Sequence, residues 1–205
     1  MKQPLTIPVF DVGNVLIRWD PRSLYRKLIH DEAEREHFLT HVCSSAWNLE
    51  MDGGKPFAQG VAERVALFPD KAHLIRAFDE RWLETLDGAI EGSVAILEEL
   101  RAKGIPTYAI TNFSGEKFAL ASRHFPFLAA FDGVVVSAHE RLLKPDRRIY
   151  EILCSRHGLT PAHCLFIDDS LPNVEAARAT GMRGHHFTQP ERLRAELKVA
   201  GLPLA

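Results

Sequence analysis

The chain has 205 residues, of which 25 are Lys or Arg and 27 are Asp or Glu, for a formal charge of −2. That length buries a full core without disulfide staples, as one domain or as one domain with an inserted subdomain. Charges of both signs are interspersed without long runs, so there is no electrostatic footprint for nucleic acid, and a small molecule is the expected partner.

In chain order, the start MKQPLTIPVFDVGNVLI has an apolar stretch too short to span a bilayer. Pro4, Pro8 and Asp11 break it too often for a secretory signal, and no later segment approaches a membrane span. Ile7 to Phe10 is a short apolar run followed at once by Asp11-Val12-Gly13-Asn14, which reads as a buried strand ending in a turn. Three more segments have this form: Thr107 to Ile110 before Thr111-Asn112, Gly133 to Val136 before Ser137, and Cys164 to Ile167 before Asp168-Asp169. Helical patterns lie between them, over Ser93 to Lys103, Glu116 to His124, Asp146 to His157 and Leu171 to Thr180. Gly104, Gly158 and Gly181 serve as C-terminal stops for three of these. This alternation predicts an α/β fold with a doubly wound parallel sheet.

From about Asp20 to Gly88 the alternation breaks, with helical periodicity and no convincing strand. Asp20-Pro21 reads as a helix start, and further helices are expected roughly over Asp31 to Ala46, Pro56 to Leu67 and Asp70 to Leu86. The expected organisation is an α/β catalytic core over residues 1–19 and 89–205 with an inserted helical cap over residues 20–88. Pro190 to Ala205 reads as a small terminal appendage. Cys43, Cys154 and Cys164 are odd in number and form no CxxC pair, which argues for a reduced, cytoplasmic setting with buried free thiols.

Ligands of open parallel sheets bind at the carboxyl ends of the strands. That edge collects Asp11, Thr111-Asn112 and Asp168-Asp169, and Lys144 before Pro145 adds a cation. Each of these alone could be a cap or a turn former. Together they suit phosphoryl transfer, which needs positioning and charge neutralisation on the transferring oxygens. A carboxylate can attack as nucleophile to form an aspartyl-phosphate. Two anions approach only if a cation cancels their repulsion, and magnesium held by one or two carboxylates plus the substrate phosphate is the usual arrangement.

The segments VFDVGNVL, ITNFS, LLKPDRRIY and LFIDDSLPNVEAARATG resemble, in order, the four motifs of the haloacid dehalogenase superfamily. They are most similar to its phosphatase-like members with a helical cap after the first strand, among them a sugar-phosphate phosphatase group whose first motif reads DxGN. The resemblance implies a Rossmann-like core, a magnesium cofactor and a small phosphorylated substrate. By position it implies that Asp11 attacks phosphorus and binds magnesium, while Gly13 offers its backbone carbonyl to the metal. Thr111 and the Asn112 backbone would bind the phosphoryl oxygens, Lys144 would neutralise Asp11 and the developing charge, Asp168 would bind the metal directly, and Asp169 would do so through water or by orienting a bound water.

One position departs from the family pattern. Most phosphatases of this superfamily carry a second Asp two residues after the nucleophile, as acid for the leaving group and then base for water. Here that position is Gly13. General acid–base assistance is typically worth about 10² to 10⁴ in rate. Its absence predicts a slow enzyme, a substrate with an acidic leaving group such as an anomeric sugar phosphate, or a substitute acid, for which Asp20 at the entry to the cap is a candidate.

Other residues invite plainer readings. His37 and His41 share a helix face without a third ligand and are expected in solvent. His185 and His186 end a strand on opposite faces, so they form no ligand pair, though one could line the site. Trp47, Phe57 and Trp82 are expected in the cap core. Asp52-Gly53-Gly54 makes a tight or mobile turn that could reach over the site, and Asn173 could hold the loop of Asp168. Two rival functions remain at this point. A metal-independent 2-haloacid dehalogenase would place two uncompensated carboxylates against an anionic substrate. A catalytically weak module that binds a phosphorylated ligand would leave the charged residues without a task.

Overall fold

Each of the four apolar runs becomes a strand, and all four lie side by side in one parallel sheet. The computed structural model describes residues 6–205, so the first five residues of the amino-terminal segment lie outside it. The strands are β1 (Ile7–Phe10), β4 (Tyr108–Thr111), β5 (Gly133–Val136) and β6 (Cys164–Asp168), joined at one edge by β7 (Arg183–His186). Their order is β5-β4-β1-β6-β7, with β1 central. Val9 stands opposite Tyr108 on one side and Phe166 on the other.

Both faces of the sheet are covered, as a buried parallel sheet requires. Successive side chains point to opposite faces. Val9, Ile110, Val135 and Phe166 accordingly pack with Ile149, Tyr150 and Leu153 of helix α9 (Arg147–His157). Phe10, Ala109 and Ile167 join the larger cluster with Leu97 and Leu100 of α6 (Glu91–Ala102). The helices α7 (Gly115–His124), α8 (Ser137–Glu140) and α10 (Leu171–Ala179) complete the alternation. The expected appendage is instead a helix, α11 (Pro190–Val199), whose Leu193 and Leu197 are fully buried and whose Arg194 pairs with Glu99 at 2.6 Å. Its charged outer face masks the apolar stripe that joins it to the core.

Between β1 and α6 the chain makes α1 (Arg22–Tyr25), α2 (Glu32–His37), α3 (Ser45–Asp52), α4 (Phe57–Leu67) and α5 (Ala72–Glu80). Tyr25, Phe38, Trp47, Phe57 and Phe78 form its aromatic core, with Trp47 edge-on to Phe78 at 5.2 Å. The single helix expected over Asp31 to Ala46 is broken. After α2 the chain loosens into a π turn, Phe38–Val42, ends at Cys43 and restarts at Ser44, whose side chain caps α3 by accepting from Trp47 N–H.

Two strands escaped the sequence reading. β2 (Ile17–Trp19) and β3 (Leu86–Ala89) pair antiparallel where the helical insertion leaves and rejoins the core, with Ile17 opposite Ala89 and Trp19 opposite Leu86. Each has three or four residues and carries a polar or glycine position such as Arg18, Asp87 or Gly88, which hides the strand pattern. The Asp70 to Leu86 pattern therefore ends early, α5 giving way to a 3-10 turn, Trp82–Thr85, and then to β3. Among the described residues no helix is long and apolar enough to cross a membrane.

Candidate active site

The carboxyl ends of β1, β4 and β6 open onto one polar cluster. Asp11 leaves β1 with its backbone N–H donating to the Ile167 carbonyl at 2.8 Å, so the sheet register itself aims the nucleophile candidate. Its Oδ1 accepts from the Val12 N–H at 2.7 Å. The DVGN turn is closed by Asn14 N–H to the Ile17 carbonyl at 2.7 Å, with Asn14 in the left-handed region at φ 53°, a conformation Asn tolerates better than most residues. The Asn14 side chain accepts from Trp19 N–H at 3.0 Å, which ties the turn to β2.

Lys144 stands between two of the carboxylates. Its Nζ lies 2.8 Å from Asp11 Oδ1 and donates to Asp168 Oδ2 at 2.7 Å, in surroundings that leave the lysine 4% and Asp168 0% exposed. The lysine is held from behind by Asn112: Lys144 N–H donates to Asn112 Oδ1 at 2.8 Å, and Asn112 Nδ2 donates back to the Lys144 carbonyl at 3.1 Å. Asp168 accepts further from Ser170 N–H at 2.8 Å and from Asn173 Nδ2 at 3.1 Å, so Asn173 does hold the loop. Tyr150 Oη in turn donates to the Asn173 carbonyl at 2.9 Å.

The electrostatics are those of crowded anions around one cation. Burial pushes the Asp11 carboxyl up to about 7; Lys144 opposes this and Asp168 adds to it. Burial alone would lower Lys144, but the Asp11 and Asp168 charges outweigh it and hold the ammonium above its ordinary value. Asp169 is raised by burial and by Asp168. Ligand oxygens of Asp11, Asp168 and Asp169 lie within 4.8 Å of one another. Such an all-oxygen, carboxylate-rich set fits a hard divalent cation. Thr111 Oγ1 is buried and has no hydrogen-bond partner among the described residues. A buried hydroxyl left unpaired is costly, and an incoming oxygen acceptor would satisfy it.

A cavity of about 110 Å³ adjoins this cluster at Gly13 and Asn112. Its apolar wall is Ile17, Trp19, Phe57, Trp82, Leu86 and Phe113, with Trp82 edge-on to Phe113 at 5.6 Å across the gap between insertion and core. Trp82 and Phe57 are thus buried as expected and also form the wall. Asn48, Asp52, Ser114 and Lys117 supply its polar positions. The Lys117 ammonium is paired with Asp79 and sits 4.4 Å from the centre of the Phe57 ring.

Asp52 belongs to the turn singled out for reaching over the site. The turn is docked rather than free: Ser137 Oγ donates to the Asp52 carbonyl at 2.6 Å, and Gly54 at φ 103° comes so close that a Cβ would lie 2.9 Å from the Ala138 carbonyl oxygen. In the sequence this turn is marked by its two glycines, and nothing there distinguishes the Asp52 side chain. A carboxylate beside two glycines reads as turn chemistry, and only the fold shows it buried.

Asp11, Gly13, Thr111, Asn112, Lys144, Asp168 and Asp169 are therefore brought together, while Asp20 is not among the cavity residues. Its side chain caps the next turn by accepting from Arg22 N–H at 2.9 Å and lies near the Arg22 and Arg26 guanidinium groups. His37 and His41 stack on each other at 4.3 Å on the insertion. His186 Nε2 lies 2.9 Å from the Asp169 carbonyl, beside the cluster.

The profile of the haloacid dehalogenase-like hydrolases matches residues 8–181. The chain is 28% identical to the sesquiterpene phosphatase astK of Aspergillus oryzae, over 93% of each protein. It is 34% identical to part of acyl-CoA dehydrogenase family member 10 of Mus musculus, with 97% of the chain matching 17% of that protein. Among solved structures, the wild-type HAD family enzyme bt-2542 of Bacteroides thetaiotaomicron, in complex with magnesium and inorganic phosphate, is similar at TM-score 0.69 and 21% identity, covering 90% of this chain and 94% of its own.

Proposed function

Because the chain belongs to the haloacid dehalogenase-like hydrolases, we propose that it is a magnesium-dependent phosphatase that hydrolyses small phosphorylated metabolites through an aspartyl-phosphate on Asp11. The observation that carries this reading is the pairing of a buried carboxylate, held 2.8 Å from Lys144, with an unpartnered Thr111 hydroxyl on the neighbouring strand. A phosphoryl group in front of Asp11 would give Thr111 the acceptor it lacks.

In this mechanism the Asp11 carboxylate attacks phosphorus, and Lys144 offsets charge on the transferring oxygens. Thr111 and the backbone N–H groups around Asn112 orient them. Asp11, the Gly13 carbonyl, Asp168 and Asp169 would hold the magnesium ion, which supplies charge neutralisation between the attacking carboxylate and the anionic substrate. Water then cleaves the acyl phosphate at phosphorus and restores Asp11. Residues 20–88 act as the cap that covers the reacting group, with β2 and β3 as its two connections.

The wall of the cavity supports a leaving group with an aromatic or hydrocarbon body over a sugar. Six apolar side chains face it, and a polyol would lose water to most of them without gaining hydrogen bonds. At about 110 Å³ it is smaller than the apolar cavity of about 150 Å³ that holds benzene, so a single ring or a short branched chain is the upper limit of what it encloses. The relationship to a protein named as a sesquiterpene phosphatase points the same way. Three buried free cysteines fit a cytoplasmic setting.

Benzyl phosphate and 4-nitrophenyl phosphate, each assayed for phosphate release with and without magnesium, test the reading. Release that depends on magnesium and is lost in Asp11→Asn is expected. Release that survives thorough chelation would overturn it, as would chloride release from 2-chloropropionate without metal.

A further inference from the structure

If this chain is a phosphatase, something must protonate the leaving group, and position 13 has no proton to give. We propose that Asp52, on the cap side of the cavity that begins at Gly13, is the general acid of the reaction and then its general base.

Gly13 and Asp52 line the same cavity, the first from the turn after β1 and the second from the end of α3. Asp52 is 8% exposed, and one of its oxygens, Oδ2, is engaged by Asn48 Nδ2 at 2.8 Å. The turn that carries it is fixed to the core by the Ser137 hydrogen bond and by the close approach of Gly54 to Ala138. A carboxyl group on a docked turn has the positional precision that proton transfer needs. Among the described residues no other acidic side chain lines this cavity, and Asp20 is engaged elsewhere with Arg22 and Arg26.

The surroundings favour a protonated resting state. Burial pushes the Asp52 carboxyl up to about 7, against the Ser114 N–H and the Lys144 charge, both of which favour the anion. Lys117 also lines the cavity but is neutralised by Asp79, and Glu116 is occupied in accepting from the Phe57 N–H at 3.2 Å. A carboxyl at the C-terminal end of a helix meets the negative end of the helix dipole, which also favours the neutral acid. An acid that titrates near neutrality is well suited to give and retake one proton per turnover.

A carboxylate oxygen of Asp11 bonds to phosphorus while the bond from phosphorus to the leaving oxygen breaks. That oxygen takes the electron pair and the Asp52 proton, and departs as an alcohol. Water then attacks the phosphorus of the aspartyl-phosphate and gives its proton to the Asp52 carboxylate. The Asp11–phosphorus bond breaks, leaving inorganic phosphate, the Asp11 carboxylate and a reprotonated Asp52.

Leaving-group dependence tests the assignment. Nitrophenolate leaves readily without a proton and benzyl alkoxide does not, while both rings suit the cavity. Because kcat/KM reports only through formation of the phospho-enzyme, the ratio of kcat/KM for benzyl over 4-nitrophenyl phosphate isolates the acid. In Asp52→Asn, whose amide oxygen can still accept from Asn48, that ratio should fall by about 100-fold or more against the wild type; an unchanged ratio would overturn the proposal. Should Asp52→Asn fail to fold, the unmodified enzyme provides the second measurement. Its kcat/KM for benzyl phosphate should decline at alkaline pH while that for 4-nitrophenyl phosphate does not, and parallel profiles would overturn the proposal. If the unmodified enzyme hydrolyses neither ester, the phosphatase reading itself has failed, and the proposal falls with it.

Discussion

Asn112 and Lys144 hold each other by two backbone-to-amide hydrogen bonds, one in each direction, so the carboxyl end of β4 fixes the loop that delivers the lysine. The family resemblance implies a backbone role for Asn112 toward phosphate. The structure adds a side chain whose task is to place the only cation between Asp11 and Asp168 among the described residues.

Asn112→Ala removes both bonds and leaves two backbone groups short of partners, at a cost of about 1–3 kcal/mol in stability. Activity should fall as the ammonium loses its position. Asn112→Asp keeps the acceptor for Lys144 N–H and loses the donor, so it should lie between the wild type and Asn112→Ala in urea unfolding.

Thr111→Val should separate stability from activity. The hydroxyl makes no bond within the described protein, and valine matches its shape, so unfolding free energy should hold or rise. Inorganic phosphate should bind more weakly by about 1.5–3 kcal/mol, the worth of a hydrogen bond to a charged group. Thr111→Ser should retain most of the affinity. Phosphate titrations by calorimetry, beside melting curves, provide both readouts.

Divalent cation binding should appear as stabilisation. At free magnesium one hundred times its Kd, mass action adds about 2.7 kcal/mol to the folded state. Asp168→Asn weakens the cluster of three carboxylates, and the magnesium-dependent rise in melting temperature should shrink or vanish in that variant. The metal-dependent increment is the quantity to compare, since loss of the buried pair with Lys144 lowers the baseline as well.

Asp52 contributes to the pH dependence of stability beside Asp11, whose carboxyl is likewise pushed up to about 7. The folded Asp52 value of about 7 lies above the ordinary 3.8, so between these the folded state keeps a proton that the unfolded chain has released. Stability of the metal-free protein therefore falls as pH rises from about 4 to about 7, by at most about 4 kcal/mol from this group. Asp52→Asn should flatten that slope and be the more stable protein at pH 8. An equal slope in both proteins, measured by urea unfolding in the presence of a chelator, would contradict the buried carboxyl.

Gly13→Asp restores the acid of the family pattern. A Cβ built at Gly13 meets nothing within 4 Å, and the residue is not among the glycines with positive φ, so the variant should fold. It should raise kcat/KM for benzyl phosphate, with the larger gain in an Asp52→Asn background where the native donor is missing.

The strands and their ends were legible because a buried parallel strand writes a short apolar run, and the polar residue that follows falls on the binding edge. Ile7 to Phe10 and Gly133 to Val136 match β1 and β5 residue for residue. The polar cluster was legible for the same reason. β2 and β3 were not, because three or four residues, most of them partly exposed, whose partners lie some seventy positions away leave no periodic signature. Asp52 was hidden in another way: its burial arises from the docking of the turn after α3 on Ser137 and Ala138, and no local pattern announces a contact across 85 residues.

Asp11 is proposed to carry the phosphoryl group between the two steps. Mass spectrometry of acid-quenched enzyme, mixed for milliseconds with 4-nitrophenyl phosphate and magnesium, tests it most directly. One added phosphoryl group is expected on the peptide containing Asp11, absent in Asp11→Asn. Turnover at full rate with no phosphoryl group on Asp11, or with one on another residue, would contradict it.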